Sequence, residues 1–252
     1  MKKILLIILL LVMVLPVFAK AEEVNTKSIK NVFVLRAGGG STGGGGGSSS
    51  GGSSTHGHNY SRYDSPISNY ISYIMFMIFA FFGSIVFYFK ILRSSMNSRR
   101  YLKLLGKKEI SWKYKNIEKQ AIETFYSVEE AWTNMDMSPS KEYMSQDLYD
   151  SFMIKLNFME VNKRRNILKK IKLLDIKPVS IYDDSNDSED YIWFYIKGKM
   201  IDYIINTETN DIIEGNKYSK SFVEFWKFTR DNNRWVLTKI KQKDDANTIN
   251  FQ

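Results

Sequence analysis

Ile192-Trp193-Phe194-Tyr195-Ile196-Lys197-Gly198-Lys199-Met200-Ile201-Asp202-Tyr203-Ile204-Ile205 is the stretch on which the fold turns. It is dense in β-branched and aromatic residues and is followed at once by turn formers, so it reads as one long strand. Gly198 in its middle implies a bulge or sharp bend, of the kind a strongly curved sheet uses. Before it, Val179-Ser180-Ile181-Tyr182 alternates with period two, and turn formers at 183–190 part the two strands. After it, residues 207–211 turn the chain and residues 222–228 make a third, aromatic strand. Asp231-Asn232-Asn233 then forms a hairpin turn into a last strand over 235–240.

Upstream of Pro178 the period is 3.6. Ile117, Ala121, Phe125, Val128 and Trp132 recur at spacings of three and four, the stripe of an amphipathic helix. Ser138-Pro139 supplies an N-cap with proline at the first helical position, and Ser145 with Asp147 opens another helix with apolar positions Leu148, Phe152, Leu156 and Met159. Ile167, Leu168, Ile171 and Leu174 keep the helical rhythm until Pro178, which stops it or already sits at a sheet edge. Helices first and an antiparallel sheet afterwards make the fold class α+β rather than a wound parallel sheet.

Residues 67–89 contain no charge, and Lys90, Arg93, Arg99, Arg100, Lys103, Lys107 and Lys108 follow almost at once. As a helix the run is about 34 Å long, enough to span a hydrocarbon core of about 30 Å. Residues 90–115 carry nine basic and one acidic side chain, whereas residues 116–252 carry 20 and 23. The overall +9 therefore reports membrane orientation before any nucleic-acid partner, with the side from Lys90 onward in the cytoplasm and the N-terminal side outside. Met1-Lys2-Lys3, an apolar stretch over 4–15, Pro16 and the small residues near Ala19 and Ala21 form a secretory signal over 1–21. An uncleaved anchor is the alternative, and both place the C-terminal part in the cytoplasm. The chain then divides into that signal, a Gly/Ser-rich extracytoplasmic linker (22–66), the span (67–89), a basic juxtamembrane segment (90–111), a domain (112–243) and a tail (244–252).

There is no cysteine, which excludes disulfides, thiolate nucleophiles and cysteine metal sites. The glycines between Gly38 and Gly52 have no strand before them and no Lys-Ser/Thr pair after them, so they read as a tether rather than a phosphate cradle. His56 and His58 lack a third ligand nearby and read as linker, with no metal site and no cofactor expected.

With this order of elements, the domain resembles the Tim44-like domain family. The resemblance rests on residues 122–132, Tyr143-Met144-Ser145 before Leu148-Tyr149, Asn166-Ile167-Leu168, Gly198-Lys199-Met200-Ile201-Asp202-Tyr203, Phe222-Val223-Glu224-Phe225-Trp226-Lys227-Phe228 and Trp235-Val236-Leu237. It covers about residues 112–243 and implies a cone of N-terminal helices on a strongly curved antiparallel sheet, as in nuclear transport factor 2. It also implies a membrane-associated, non-enzymatic domain that contacts anionic phospholipid and a protein of membrane transport or biogenesis. No organelle presequence or long chaperone-contacting region is present, so chaperone tethering is not carried over.

The lipid- or partner-binding candidates are the seven basic residues from Lys90 to Lys108, whose attraction to an anionic leaflet is worth roughly 1 kcal/mol each near the surface. A second basic cluster, Lys163, Arg164, Arg165, Lys169, Lys170 and Lys172, reads as a solvated helix face or as a contact for a phosphate-rich partner, lipid headgroups or the ribosome. No DNA partner is expected. Trp193, Tyr195, Asp202, Tyr203, Glu224 and Trp226 are the candidates for lining a cavity in the cone, where a small ligand or an enzymatic reaction is the alternative function. The domain has no histidine, so acid–base work would fall to Asp202-Tyr203 or Glu224, against a structural reading in which both carboxylates pair with Lys199 or Lys227 across strands.

Overall fold

The computed structural model describes residues 66–185, 189–231 and 234–251. The signal sequence, the Gly/Ser-rich segment with its two histidines, and Asn232-Asn233 lie outside them. The first element, α1 (Pro66–Lys108), is one unbroken helix of 43 residues, about 64 Å at 1.5 Å per residue. In its first half Phe76, Phe81, Phe82 and Phe89 are exposed, and by length and composition it is a helix that could cross a membrane. In its second half Ile91, Ser94, Ser95, Ser98, Leu102 and Leu105 are buried. Spacings of three and four, with Ser95 beside Ser94, place them on one stripe. Residues 90–108, read above as a juxtamembrane segment, thus supply side chains to the core.

A short 3-10 turn (Ile110–Trp112) leads to α2 (Tyr114–Thr133), a second 3-10 segment (Ser138–Tyr143) and α3 (Gln146–Val161). The α2 stripe of Ile117, Ala121, Phe125, Val128 and Trp132 is buried as its spacing requires. Ser145 caps α3 by accepting from the Leu148 N–H at 3.4 Å, and Phe152, Leu156 and Met159 point inward. Pro139 opens only a 3-10 segment.

Four antiparallel strands follow in sheet order β1-β2-β3-β4: β1 (Arg164–Tyr182), β2 (Tyr191–Asn206), β3 (Ile212–Asp231) and β4 (Arg234–Gln242). The architecture is α+β, helices packed on an antiparallel sheet. The helix expected through Ile167, Leu168, Ile171 and Leu174 is instead the first half of β1. Its pairing with β2 slips between Lys169 and Lys172 and again between Leu173 and Asp175, and Lys170 takes a left-handed φ of 54°. Extra residues at bulges stretch a period of two toward three or four, which imitates a helix in sequence. Gly198 is not itself the bulged residue: it pairs with Leu173 on one side and Phe222 on the other. A Cβ there would come within 2.2 Å of the Phe222 ring, so glycine is required because the ring lies across the strand. The third strand is also longer than its aromatic half, reaching back to Ile212.

The two sheet faces bury two clusters. Ile192, Phe194, Ile196, Trp226 and Phe228 face the α2 stripe, Phe152 and the end of α1 at Leu102 and Leu105. Trp193, Tyr195 and Phe225 alternate onto the other face, where Ile91, Val179, Ala246 and Ile249 cover them. The residues after β4, read as a tail, form a 3-10 segment (Lys243–Thr248) and close this second cluster. α1 therefore passes from one face to the other along β1, an edge strand. Its Ser94 hydroxyl donates to the Val179 carbonyl beside the register shift between Pro178 and Ser180, a device that protects an exposed sheet edge.

Candidate membrane-contact site

All seven basic candidates on α1 are exposed. Those that touch protein do so through rings rather than acids. Lys90 lies 4.5 Å over Phe251, and Arg99 sits 5.2 Å over Tyr114 while donating to its hydroxyl at 3.2 Å. Their charge is left to face solvent, as a surface for an external anion requires.

What holds that surface in place is a buried ion cluster that the sequence did not reveal. Arg230, near the end of β3, is almost fully buried, and its Nη1 donates to Glu109 Oε2 at 3.0 Å and to Asp190 Oδ2 at 3.3 Å. Its Nη2 donates to Glu109 Oε1, and its backbone N–H to the Asp190 carbonyl at 3.1 Å. Glu109 directly follows α1, so the guanidinium ties the helix end to the starts and ends of the central strands. Burial pushes the fully buried Asp190 carboxyl up, against the Asp184 N–H and Arg230 that favour its charge. The Ser111 hydroxyl, with help from Arg230, holds Glu109 below the usual carboxylate range. Trp112 and Trp235 pack edge to face at 4.8 Å beside this cluster, and Trp235 Nε1 donates to the Ser111 carbonyl.

The second basic cluster lies on the turn at Lys163 and on β1, not on a helix face, and it divides. Lys163 approaches Glu208 at 3.9 Å, Arg164 donates to Glu214 at 3.1 Å, and Arg165 donates to the Thr133 carbonyl at 3.1 Å. Lys169, Lys170 and Lys172 are exposed.

The cavity candidates are not brought together. Trp193 and Tyr195 belong to the second cluster, Trp226 to the first, on opposite faces of the sheet. Both carboxylates accept from neutral donors. Asp202 accepts from the Asn166 amide at 2.7 Å, and that amide also donates to the Tyr203 carbonyl at 3.2 Å while accepting from the Trp132 indole at 2.9 Å. Glu224, fully buried, accepts from the Trp226 indole at 2.9 Å and from the Gln242 amide at 2.9 Å. Pairing with neutral donors reflects position: Glu224 points to the core face, whereas Lys227 points away and lies 4.3 Å over the Tyr191 ring. A cleft of about 470 Å³ between Pro139, Glu142 and Arg234 and one of about 310 Å³ between Ser111, Gln120 and Trp235 are lined by none of these candidates.

Compared with known families, residues 102–242 match the Tim44-like domain. The chain belongs to the Tim44-like domain family. The matched region begins at Leu102, inside α1, in keeping with the burial of Leu102 and Leu105 in the Tim44-like core. Among solved structures the chain is similar to the intermembrane space region of the chloroplast protein ARC6, at 7% identity over 49% of this chain and 94% of that one, TM-score 0.34. It is also similar to a SEC-C motif containing protein from Rhodopseudomonas palustris, at 13% identity over 45% and 70%, TM-score 0.24. No curated protein matches.

One further surface of the Tim44-like domain stands out. Ile154, Phe158 and Val161 are exposed on α3 at spacings of four and three, one apolar stripe on the outside of a helix whose other side is core.

Proposed function

We propose that this protein is a membrane-anchored, non-enzymatic Tim44-like adaptor whose domain, a cone of the nuclear transport factor 2 type, sits at the cytoplasmic face of the membrane. There it binds anionic phospholipid and a protein of membrane transport or membrane-protein biogenesis. The observation that carries this reading is the continuity of α1: the helix that could span the bilayer is also a wall of the core, with its basic residues outward. A domain held so rigidly has its α1 lysines and arginines within reach of headgroups, where such charges act. The apolar stripe of Ile154, Phe158 and Val161 offers a partner the alternate turns of a helix, a common mode of docking.

The test is site-specific photo-crosslinking of the full chain in its own cell, from positions 154, 158 and 161 and, as a control, from exposed position 119 on α2. The expected result is an adduct with a component of the transport or insertion machinery from the stripe and none from position 119. Adducts only with phospholipid, or none from any of the three positions, would overturn the protein-partner half of the reading.

A further inference from the structure

α1 and the central strands share a direction. Near the start of the packed half of α1, Phe87 meets Phe225 edge-on at 6.4 Å. Ile91 lies in the cluster with Trp193 and Val179, and beyond the helix end Glu109 meets Arg230 and Asp190 comes close by. Moving down α1 therefore follows β2 backward from Tyr195 to Tyr191 and β3 forward from Phe225 to Arg230. Followed the other way, toward the apolar half of α1, the same strands run on into Lys197 and Lys199 on β2 and Lys220 and Lys217 on β3. β1 lies alongside with Lys172, Lys170 and Lys169.

The register places four of them on one face: Lys172 pairs with Lys199, Lys169 pairs with Ile201, and Lys197, Lys199 and Ile201 are alternate residues of β2, whereas Lys220 pairs with the buried Met200 and lies on the other face. At about 3.3 Å per residue, Lys197 and Lys199 lie roughly 7 and 13 Å past Tyr195 along the strand. All seven lysines are exposed. Segments 169–174, 197–201 and 216–223 contain no acidic residue, and among the described residues no ion pair engages any of the seven. Tyr218, 77% exposed, stands between Lys217 and Lys220. Like charges placed opposite one another on neighbouring strands destabilise a sheet, so the arrangement calls for an external anion. The contrast with Lys163 and Arg164, which meet Glu208 and Glu214 one turn of chain earlier, is sharp.

We propose that this lysine-rich half-sheet rests on the anionic headgroups of the membrane that α1 enters. The bilayer is the occupant because the strands run toward the apolar half of an unbroken helix, and because an exposed tyrosine among lysines is the side-chain mixture of the membrane interface. The proposal rests on the membrane-anchored reading above and gives its lipid contact an address.

The experiment places the full chain in nanodiscs of phosphatidylcholine alone or mixed with phosphatidylglycerol, and measures the acylation rate of each lysine by mass spectrometry. Lys169, Lys172, Lys197 and Lys199 are expected to react about tenfold more slowly in the mixed discs. Lys119, near the Trp235 end of the domain, is expected to keep its rate. If Lys90 is slowed but the four are not, the half-sheet proposal fails and the anchored reading stands; if Lys90 is not slowed either, both fail. Slowing of the four by added RNA in phosphatidylcholine discs, with no effect of phosphatidylglycerol, would also overturn the proposal.

Discussion

The two halves of α1 have the same backbone and opposite surroundings. In residues 70–89 large apolar side chains such as Phe76, Phe82 and Phe89 are exposed around the helix. In residues 90–108 the basic side chains are exposed and a narrow stripe from Ile91 to Leu105 is buried. The first half needs an apolar medium on all sides, whereas the second needs a protein on one side and water or headgroups on the other. High charge is therefore no sign of a linker: six buried positions among seven outward charges suffice to make a core helix.

The largest break in this comparison should come from Arg230, which fastens the end of the packed half. Arg230→Ala leaves the buried Asp190 without its guanidinium and is expected to cost about 3–5 kcal/mol of domain stability, read from denaturant unfolding of the detergent-solubilised chain. Unchanged unfolding would mean the cluster is not formed. Next, Leu102→Ala in the packed half should cost about 2–5 kcal/mol, while Phe82→Ala in the exposed half should leave unfolding of the domain unaltered. Equal effects from the two would erase the distinction between the halves.

The smallest effect is a pH dependence. Glu109 is held low by Ser111 and Arg230, so its folded form favours the charged carboxylate. The stability it contributes is present above the ordinary glutamate range and is lost as pH falls through the lowered value. Asp190 is shifted the opposite way, so its contribution is present at low pH and declines as pH rises through the raised value. Glu109→Gln should accordingly be less stable than the parent at neutral pH, with the gap closing in acid. A gap that widened in acid would contradict the assigned partners.

Local rules made much of this fold legible. The α2 stripe, the Ser145 cap and the long β2 strand are each set by neighbours within a few residues, and each appears where the spacing puts it. The first half of β1 was not legible because bulges at Lys169–Lys172 and Leu173–Asp175 distort its period. Only the partner strand shows which residues are extra. The site was harder. Arg230 and Glu109 are 121 residues apart, and the lysines of the half-sheet come from three separate segments that only the register unites. The basic run from Lys90 was visible because its members are contiguous. The cavity reading of Trp193, Tyr195 and Trp226 turned on register: Trp193 pairs with Lys227 and Phe194 with Trp226, which sets the first two rings and Trp226 on opposite faces.

The packing of Phe251 against Phe225 and under Lys90 has a consequence for synthesis. Ile91 leaves the ribosome about 160 residues before Ile249, yet both fill the same cluster, a long-range closure of the sort that slows folding. The packed half of α1 is made long before the residues that cover it. Until the distant C-terminal residues arrive, Ile91, Trp193 and Phe225 stand open, so the nascent chain is at its most adhesive just before Ile249 emerges.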